Sequence, residues 1–389
     1  MGCGKAPISI ASSPSDTPKE VALPLSIEIG VIMQDTMTRR DLFKLGAVAT
    51  TAAVSTSLIG CSTASAEPVV NTDAAAKGVA TATLDESISE NILNVETKAL
   101  SINHIEGITY KQVLKPDGDT QLHLDLLVPN VKDQKFPLVV FIPGGGFTGS
   151  NPANSLVQRM AIAQAGYVVA SVQHRVVPSA KFPEPLEDCK AAVRWLKANA
   201  DTFNIDKTKV ASMGNSSGGY FATMLGVTGD VKDFDKGENT GESSAVNAVI
   251  DLYGVSDLTI IGAGLEKDIE QGHDSPATTE AMLINGTAFG GNKGASVFET
   301  PDTAAPASPF TYIDGTDPAF LIFHGDKDTL VSPVATMELY KRLKDAGVDA
   351  TRYVVAGASH GGPMFDQPEV IDLMIEFLDK QLKSDAEKK

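Results

Sequence analysis

Short apolar runs recur along the chain from about residue 100 onward, at 138–142, 167–173, 209–213, 246–253, 320–323 and 351–355. Between them lie stretches with apolar residues at i, i+3 and i+4 spacing, at 155–165, 185–200, 217–227, 333–346 and 368–382. A strand that is apolar at nearly every position has no face left for water, so the alternation predicts a mostly parallel sheet with helices on both faces. Two further runs, 108–113 and 121–128, flank Asp117-Gly118 and predict an antiparallel hairpin rather than a calcium loop. One α/β sheet of about eight strands accounts for residues 101–389 without a second fold.

The first hundred residues follow other rules. Thr38-Arg39-Arg40-Asp41-Leu42-Phe43-Lys44 precedes an uncharged, mildly apolar stretch at 45–60, the basic region and short apolar region of an export signal. The arginine pair with Leu42-Phe43 and Lys44 resembles a twin-arginine signal. Leu58-Ile59-Gly60-Cys61 resembles a bacterial lipobox, which makes Cys61 a lipidation site and a membrane anchor. Residues 1–60 are thus read as an N-terminal extension with an export and lipoprotein signal, with Met37 a plausible start. Residues 61–100, rich in Ala, Thr, Ser, Asp and Glu, are read as a tether with a short helix at 87–94. Met1-Gly2-Cys3 is not a myristoylation signal, because Ala6 stands where Ser or Thr is needed.

The charge balance is 32 Lys+Arg against 49 Asp+Glu, a net of −17. Residues 1–60 hold five of each sign, so the excess belongs wholly to the remainder. An acidic domain with no basic arm repels phosphate backbones and argues against nucleic-acid binding. No apolar run reaches the roughly 20 residues needed to span a bilayer. Of three cysteines, only Cys61 and Cys189 would survive signal cleavage, so no disulfide is expected within the domain. Cys189 falls in a helical pattern and reads as a small core residue.

Gly214-Asn215-Ser216-Ser217-Gly218-Gly219 directly follows the 209–213 strand and opens a helix. A G-x-S-x-G turn in that position holds its serine in a strained conformation with Oγ exposed, so Ser216 is the candidate nucleophile. Centring the motif on Ser217 fails, since Asn215 would fall at the first glycine. A serine needs a base, and the base a carboxylate to orient it. Among six histidines, His360 alone lies in a Gly-rich turn after the last strand. His104, ahead of the core, and His123, His174, His273 and His324 read as structural or substrate-facing. The 320–323 strand runs into His324-Gly325-Asp326-Lys327-Asp328, where two aspartates compete for the acid. Pro143-Gly144-Gly145-Gly146-Phe147 after the 138–142 strand could offer backbone N–H groups to an oxyanion.

Together with His174-Arg175-Val176-Val177-Pro178, Phe182-Pro183, Leu186-Glu187-Asp188 and Ala192-Val193-Arg194-Trp195, these motifs resemble the α/β-hydrolase superfamily over about residues 105–383. Within it, the likeness is to the esterase/lipase group near hormone-sensitive lipase and the bacterial feruloyl-esterase-like carboxylesterases. The resemblance implies Ser216 as nucleophile, Asp328 as acid, His360 as base, and an oxyanion hole from Gly145, Gly146 and the Ser217 N–H. It implies an α/β-hydrolase fold, no cofactor and no metal. Two departures stand out: Pro143 replaces the histidine usual before the glycines, and Asn215 and Ser217 stand where the elbow often has Asp and Ala. The insert at 258–308, rich in Gly, Ala and Thr, reads as a cap over the site. The expected activity is that of an exported, membrane-tethered serine carboxylesterase on the periplasmic or cell-surface side. Its partner would be a small-molecule ester or an esterified glycan. An acetyl or feruloyl esterase of plant polysaccharide, an exopeptidase of the same fold and a binding protein on an inactive scaffold are the alternatives; oligomeric state is not legible.

Overall fold

A computed structural model describes residues 95–97, 99–115 and 118–383. The export signal, Cys61, the helix expected at 87–94 and Asp117 lie outside the described residues. Eight strands form one sheet: β1 (Ile102–Val113), β2 (Thr120–Pro129), β3 (Phe136–Ile142), β4 (Val168–Val172), β5 (Ile205–Asn215), β6 (Ala248–Leu252), β7 (Ala319–Gly325) and β8 (Ala350–Val355). Their order is β1-β2-β4-β3-β5-β6-β7-β8. β1 and β2 are antiparallel, as are β2 and β4, and every pair from β4 through β8 is parallel. The sheet is mostly parallel, as the alternation predicts, and takes the form that the α/β-hydrolase resemblance implies.

Eight α-helices accompany the sheet among the described residues: α1 (Leu156–Gln164), α2 (Glu184–Ala198), α3 (Ser217–Val227), α4 (Lys267–Gly272), α5 (Thr279–Asn285), α6 (Pro301–Ala304), α7 (Pro333–Asp345) and α8 (Pro368–Leu382). β3 shows why its pattern has no period of two. Leu138, Val140 and Ile142 join a core shared with α2, α3 and α7, whereas Val139 and Phe141 join one shared with α1 and α8. Both faces are covered, so every position is apolar. Cys189 is buried in α2 as a free thiol. Helix ends follow local chemistry: in α7 the Ser332 hydroxyl caps the Val334 N–H, Pro333 opens the first turn, and Arg342 and Lys344 sit at the negative end.

The structure extends β1 six residues ahead of the expected start, so His104 lies inside the strand rather than before the core. The added half is exposed on both faces and broken by a bulge between Ile105 and Ile108, which erases the hydrophobic signal. The insert between β6 and β7 carries α4, α5 and α6, all too short to show periodicity. Among the described residues, no helix is long and apolar enough to cross a membrane.

Candidate active site

The site forms at the carboxyl ends of the central strands, where parallel sheets collect functional groups. β5 ends at Asn215, and Ser216 turns the chain into α3 with φ 54° and ψ −125°, a left-handed conformation rare for a residue with a Cβ. The turn is possible because its neighbours are glycines. A Cβ on Gly218 would lie 2.0 Å from the Ile142 carbonyl oxygen, and one on Gly214 would lie 2.2 Å from that of Gly218. The Ser216 N–H is held by the Leu252 carbonyl at 2.9 Å.

The loops after β7 and β8 bring two partners to this serine. His360 Nε2 lies 2.8 Å from Ser216 Oγ, and its Nδ1 lies 2.7 Å from Asp328 Oδ2. Between the two competing aspartates the geometry is decisive: Asp328 is buried and faces His360, while the exposed Asp326 accepts the Gly357 N–H at 2.6 Å. Asp328 Oδ1 accepts the N–H groups of Leu330 and Val331, so the carboxylate cannot swing away. Burial alone would raise its pKa. The hydrogen bonds from His324 and His360, the His360 charge and the Val331 N–H outweigh that and hold it well below the usual carboxylate range. Asp328 is therefore ionised wherever His360 works.

Three residues at this site carry roles that the sequence reading did not give them. His324 is buried with Nε2 3.0 Å from both Asp328 Oδ2 and the Val331 carbonyl; both are acceptors, so Nε2 carries the proton. Tyr253, at φ 43°, packs edge-on against the His360 ring at 5.0 Å and fixes the plane of the imidazole. Its hydroxyl accepts from Asn215 Nδ2 at 3.3 Å, and Asn215 Oδ1 in turn accepts the Gly144 N–H at 2.9 Å. Asn215 thus links the base to the glycine loop. His174 is buried against Phe221, and Arg175 is locked by Asp188 at 2.7 Å, so the 174–188 segment is scaffold beneath the loop.

The glycine loop requires one correction. The Gly145 N–H, expected to face an oxyanion, points instead to the Ser217 Oγ at 3.0 Å. A hydroxyl at 217, where the related elbows often carry a methyl, supplies an acceptor that turns this N–H inward. The Gly146 N–H has no partner among the described residues, and the Ser217 N–H heads α3, where no intrahelical carbonyl is available. Of the three N–H groups expected at an oxyanion, those of Gly146 and Ser217 thus remain without a protein acceptor among the described residues. Asn215 and Ser217 together supply the hydrogen bonds that the absent histidine at Pro143 cannot make.

Metal-ligand groups gather elsewhere among the described residues, at His104, Glu106 and Asp125 on the β1–β2 hairpin. One Asp125 oxygen there is already taken by the Gly107 N–H, at 2.8 Å.

An eight-stranded sheet with a serine at a strained strand-to-helix turn defines the α/β-hydrolase class. Residues 124–343 match the BD-FAE family, and the chain belongs to it. It is similar to esterase LipC of Mycobacterium tuberculosis, 24% identical over 268 residues that cover 68% of this chain and 63% of that one. It spans about half the length of the next relative, esterase LipQ of the same organism. Among solved structures, a truncated carbohydrate esterase from gut microbiota is 27% identical with a TM-score of 0.63, covering 74% of this chain and 98% of that one. A bifunctional GH43-CE protein of Bacteroides eggerthii is 28% identical with a TM-score of 0.62, covering 72% of this chain and 35% of that one.

Proposed function

We propose that the protein is a serine carboxylesterase that works through an acyl-enzyme. The observation that carries this reading is the unbroken line from Ser216 Oγ through His360 to Asp328, with contacts of 2.8 and 2.7 Å. Ser216 attacks the ester carbonyl while His360 Nε2 takes its proton, and Asp328 holds the Nδ1–H and offsets the imidazolium charge. The oxyanion forms against the N–H groups of Gly146 and Ser217, each worth about 3–4 kcal/mol in the transition state. His360 then protonates the leaving alcohol. Water, activated by the same imidazole, releases the acid and restores Ser216. Turnover of p-nitrophenyl acetate, butyrate and octanoate by wild type, falling to background in Ser216→Ala, supports the assignment. Equal turnover in the two proteins removes Ser216 from the mechanism, and inertness of wild type toward all three and toward acetylated oligosaccharides removes the activity.

Within this class, we favour an ester carried on a glycan. Support comes from the similarity to the gut-microbiota carbohydrate esterase over nearly all of that chain. An exopeptidase of this fold would instead release p-nitroaniline from aminoacyl anilides, which the same purified protein can be offered. We also propose export as a lipoprotein anchored through Cys61 on the periplasmic or cell-surface side, on the strength of the arginine pair and the Leu58–Cys61 motif. Metabolic labelling with a fatty-acid analogue, retained in wild type and lost in Cys61→Ala, tests it.

A further inference from the structure

The insert between β6 and β7 contains a cleft of about 340 Å³ that the reaction steps above do not use. Thr259, Gly262, Gln271, His273, Asp274 and Phe298 contribute to its wall. His273 is fixed there. Its Nδ1 lies 2.6 Å from Oε1 of Glu280, a buried carboxylate, and its ring rests on Gly262, where a Cβ would come within 2.5 Å of Cδ2. The other ring nitrogen has no hydrogen-bond partner among the described residues, so an oriented imidazole is left with one unused polar atom. Phe298, 47% exposed, presents a large apolar side chain to water at the same cleft. Gln271 adds an amide with both donors and acceptors.

An aromatic ring in water beside an oriented imidazole, an amide and a carboxylate matches a molecule with one apolar C–H face and a rim of hydroxyls. That is a pyranose. Lys267 is the one Lys or Arg at the cleft, against Glu270 and Asp274, and any charge on His273 is matched by Glu280, so a phosphate or nucleotide would be repelled. The insert that forms the cleft is also tied to the elements that carry the active-site residues. Ser332, four residues after Asp328, donates its N–H to the Ile261 carbonyl at 2.7 Å and its hydroxyl to that of Ala263 at 2.5 Å. Asp257 holds the Thr259 N–H at 2.8 Å and the Ser308 hydroxyl, and Tyr220, one turn along α3 from Ser216, donates to the Ala307 carbonyl at 2.6 Å. The insert leaves β6 at its carboxyl end, the edge at which Ser216, Asp328 and His360 stand.

We propose that this cleft is a sugar subsite, which seats the carbohydrate part of an esterified glycan while the acyl group reaches Ser216; the proposal rests on the esterase reading. The exposed residues Phe298 and Gln271 can be truncated without opening the core. In the full chain, Phe298→Ala should raise KM for acetylated xylo- and manno-oligosaccharides roughly tenfold, the effect of losing one stacked apolar face. Gln271→Ala should raise it less, and both variants should keep wild-type constants on p-nitrophenyl acetate. Ser216→Ala, titrated calorimetrically with unesterified xylohexaose and mannohexaose, should bind at least one of them saturably and lose that binding when Phe298→Ala is added. Unchanged KM on both glycan esters in Phe298→Ala, or no binding of either oligosaccharide, overturns the proposal. If wild type cleaves no ester, the esterase reading falls and the calorimetric titration alone decides the subsite.

Discussion

Asn215→Ala separates a serine elbow that merely exposes its nucleophile from one whose flanking side chain also holds the oxyanion loop. Asn215 Oδ1 takes the N–H of Gly144, a buried residue, at 2.9 Å, and its Nδ2 reaches Tyr253 Oη at 3.3 Å. Truncation leaves the Gly144 amide without an acceptor, at a cost of about 1–3 kcal/mol. The 3.3 Å contact is beyond the usual range for N–H···O and adds little. For a domain of this size, that lowers Tm by roughly 2–8 °C. The catalytic effect has an upper bound, since one oxyanion donor contributes about 3–4 kcal/mol and Gly146 would be loosened, not lost. A tenfold to hundredfold fall in kcat, about 1.4–2.8 kcal/mol, is expected with KM unchanged. Asn215→Asp is the control: one carboxylate oxygen accepts from Gly144 and the other from the Tyr253 hydroxyl, so kcat should return to within a fewfold of wild type. Steady-state kinetics on p-nitrophenyl acetate together with thermal melts read both effects. Wild-type kcat in Asn215→Ala, or an Asp variant as impaired as the Ala variant, refutes the loop-holding role.

Other consequences are direct. Asp328→Asn, which removes the charge opposite His360 while preserving shape, should lower kcat by about four orders of magnitude on the same ester, and a loss under tenfold would show that the carboxylate does not orient the base. Gly218→Ala places a methyl 2.0 Å from the Ile142 carbonyl oxygen, so α3 must move off β3; insolubility or a Tm lower by more than 10 °C is expected, and a soluble, fully active variant would contradict the packing. Asp251 is wholly buried, with no well-formed hydrogen bond to either oxygen, and burial pushes its carboxyl up to about 7 against the pull of the Gly254 amide, Arg352 and Thr223. A carboxyl raised in the folded state stabilises at low pH and loses that contribution as pH climbs from about 4 through about 7. Asp251→Asn should therefore raise Tm at pH 8 more than at pH 5, and an equal change at both values would place the charge elsewhere.

Where the chain's chemistry is local, its letters are sufficient. β3, β4, β6, β7 and the second half of β5 are runs with two buried faces, and Ser216 sits in a turn whose glycines are demanded by contacts with the two elements beside it. The outer half of β1 fails that test because it buries almost nothing, and α4 to α6 fail it because six, seven and four residues cannot display a period of 3.6. Roles that depend on distant partners were illegible for a different reason. His324 looks like the end of a strand until the Asp328 turn folds back onto its Nε2, and nothing near Tyr253 in sequence announces the His360 ring, 107 positions on. The glycine loop makes the point most sharply. Read position by position, Pro143, Asn215 and Ser217 are three separate departures from the pattern the chain resembles. In space the last two stand under the loop 71 and 72 residues earlier, and their side-chain oxygens take the N–H groups of Gly144 and Gly145. Proline removes one means of fixing the loop; the asparagine and serine on the elbow supply another. A substitution toward that pattern at any one of the three positions should therefore be judged with the other two in place, because their effects on the loop cannot add independently.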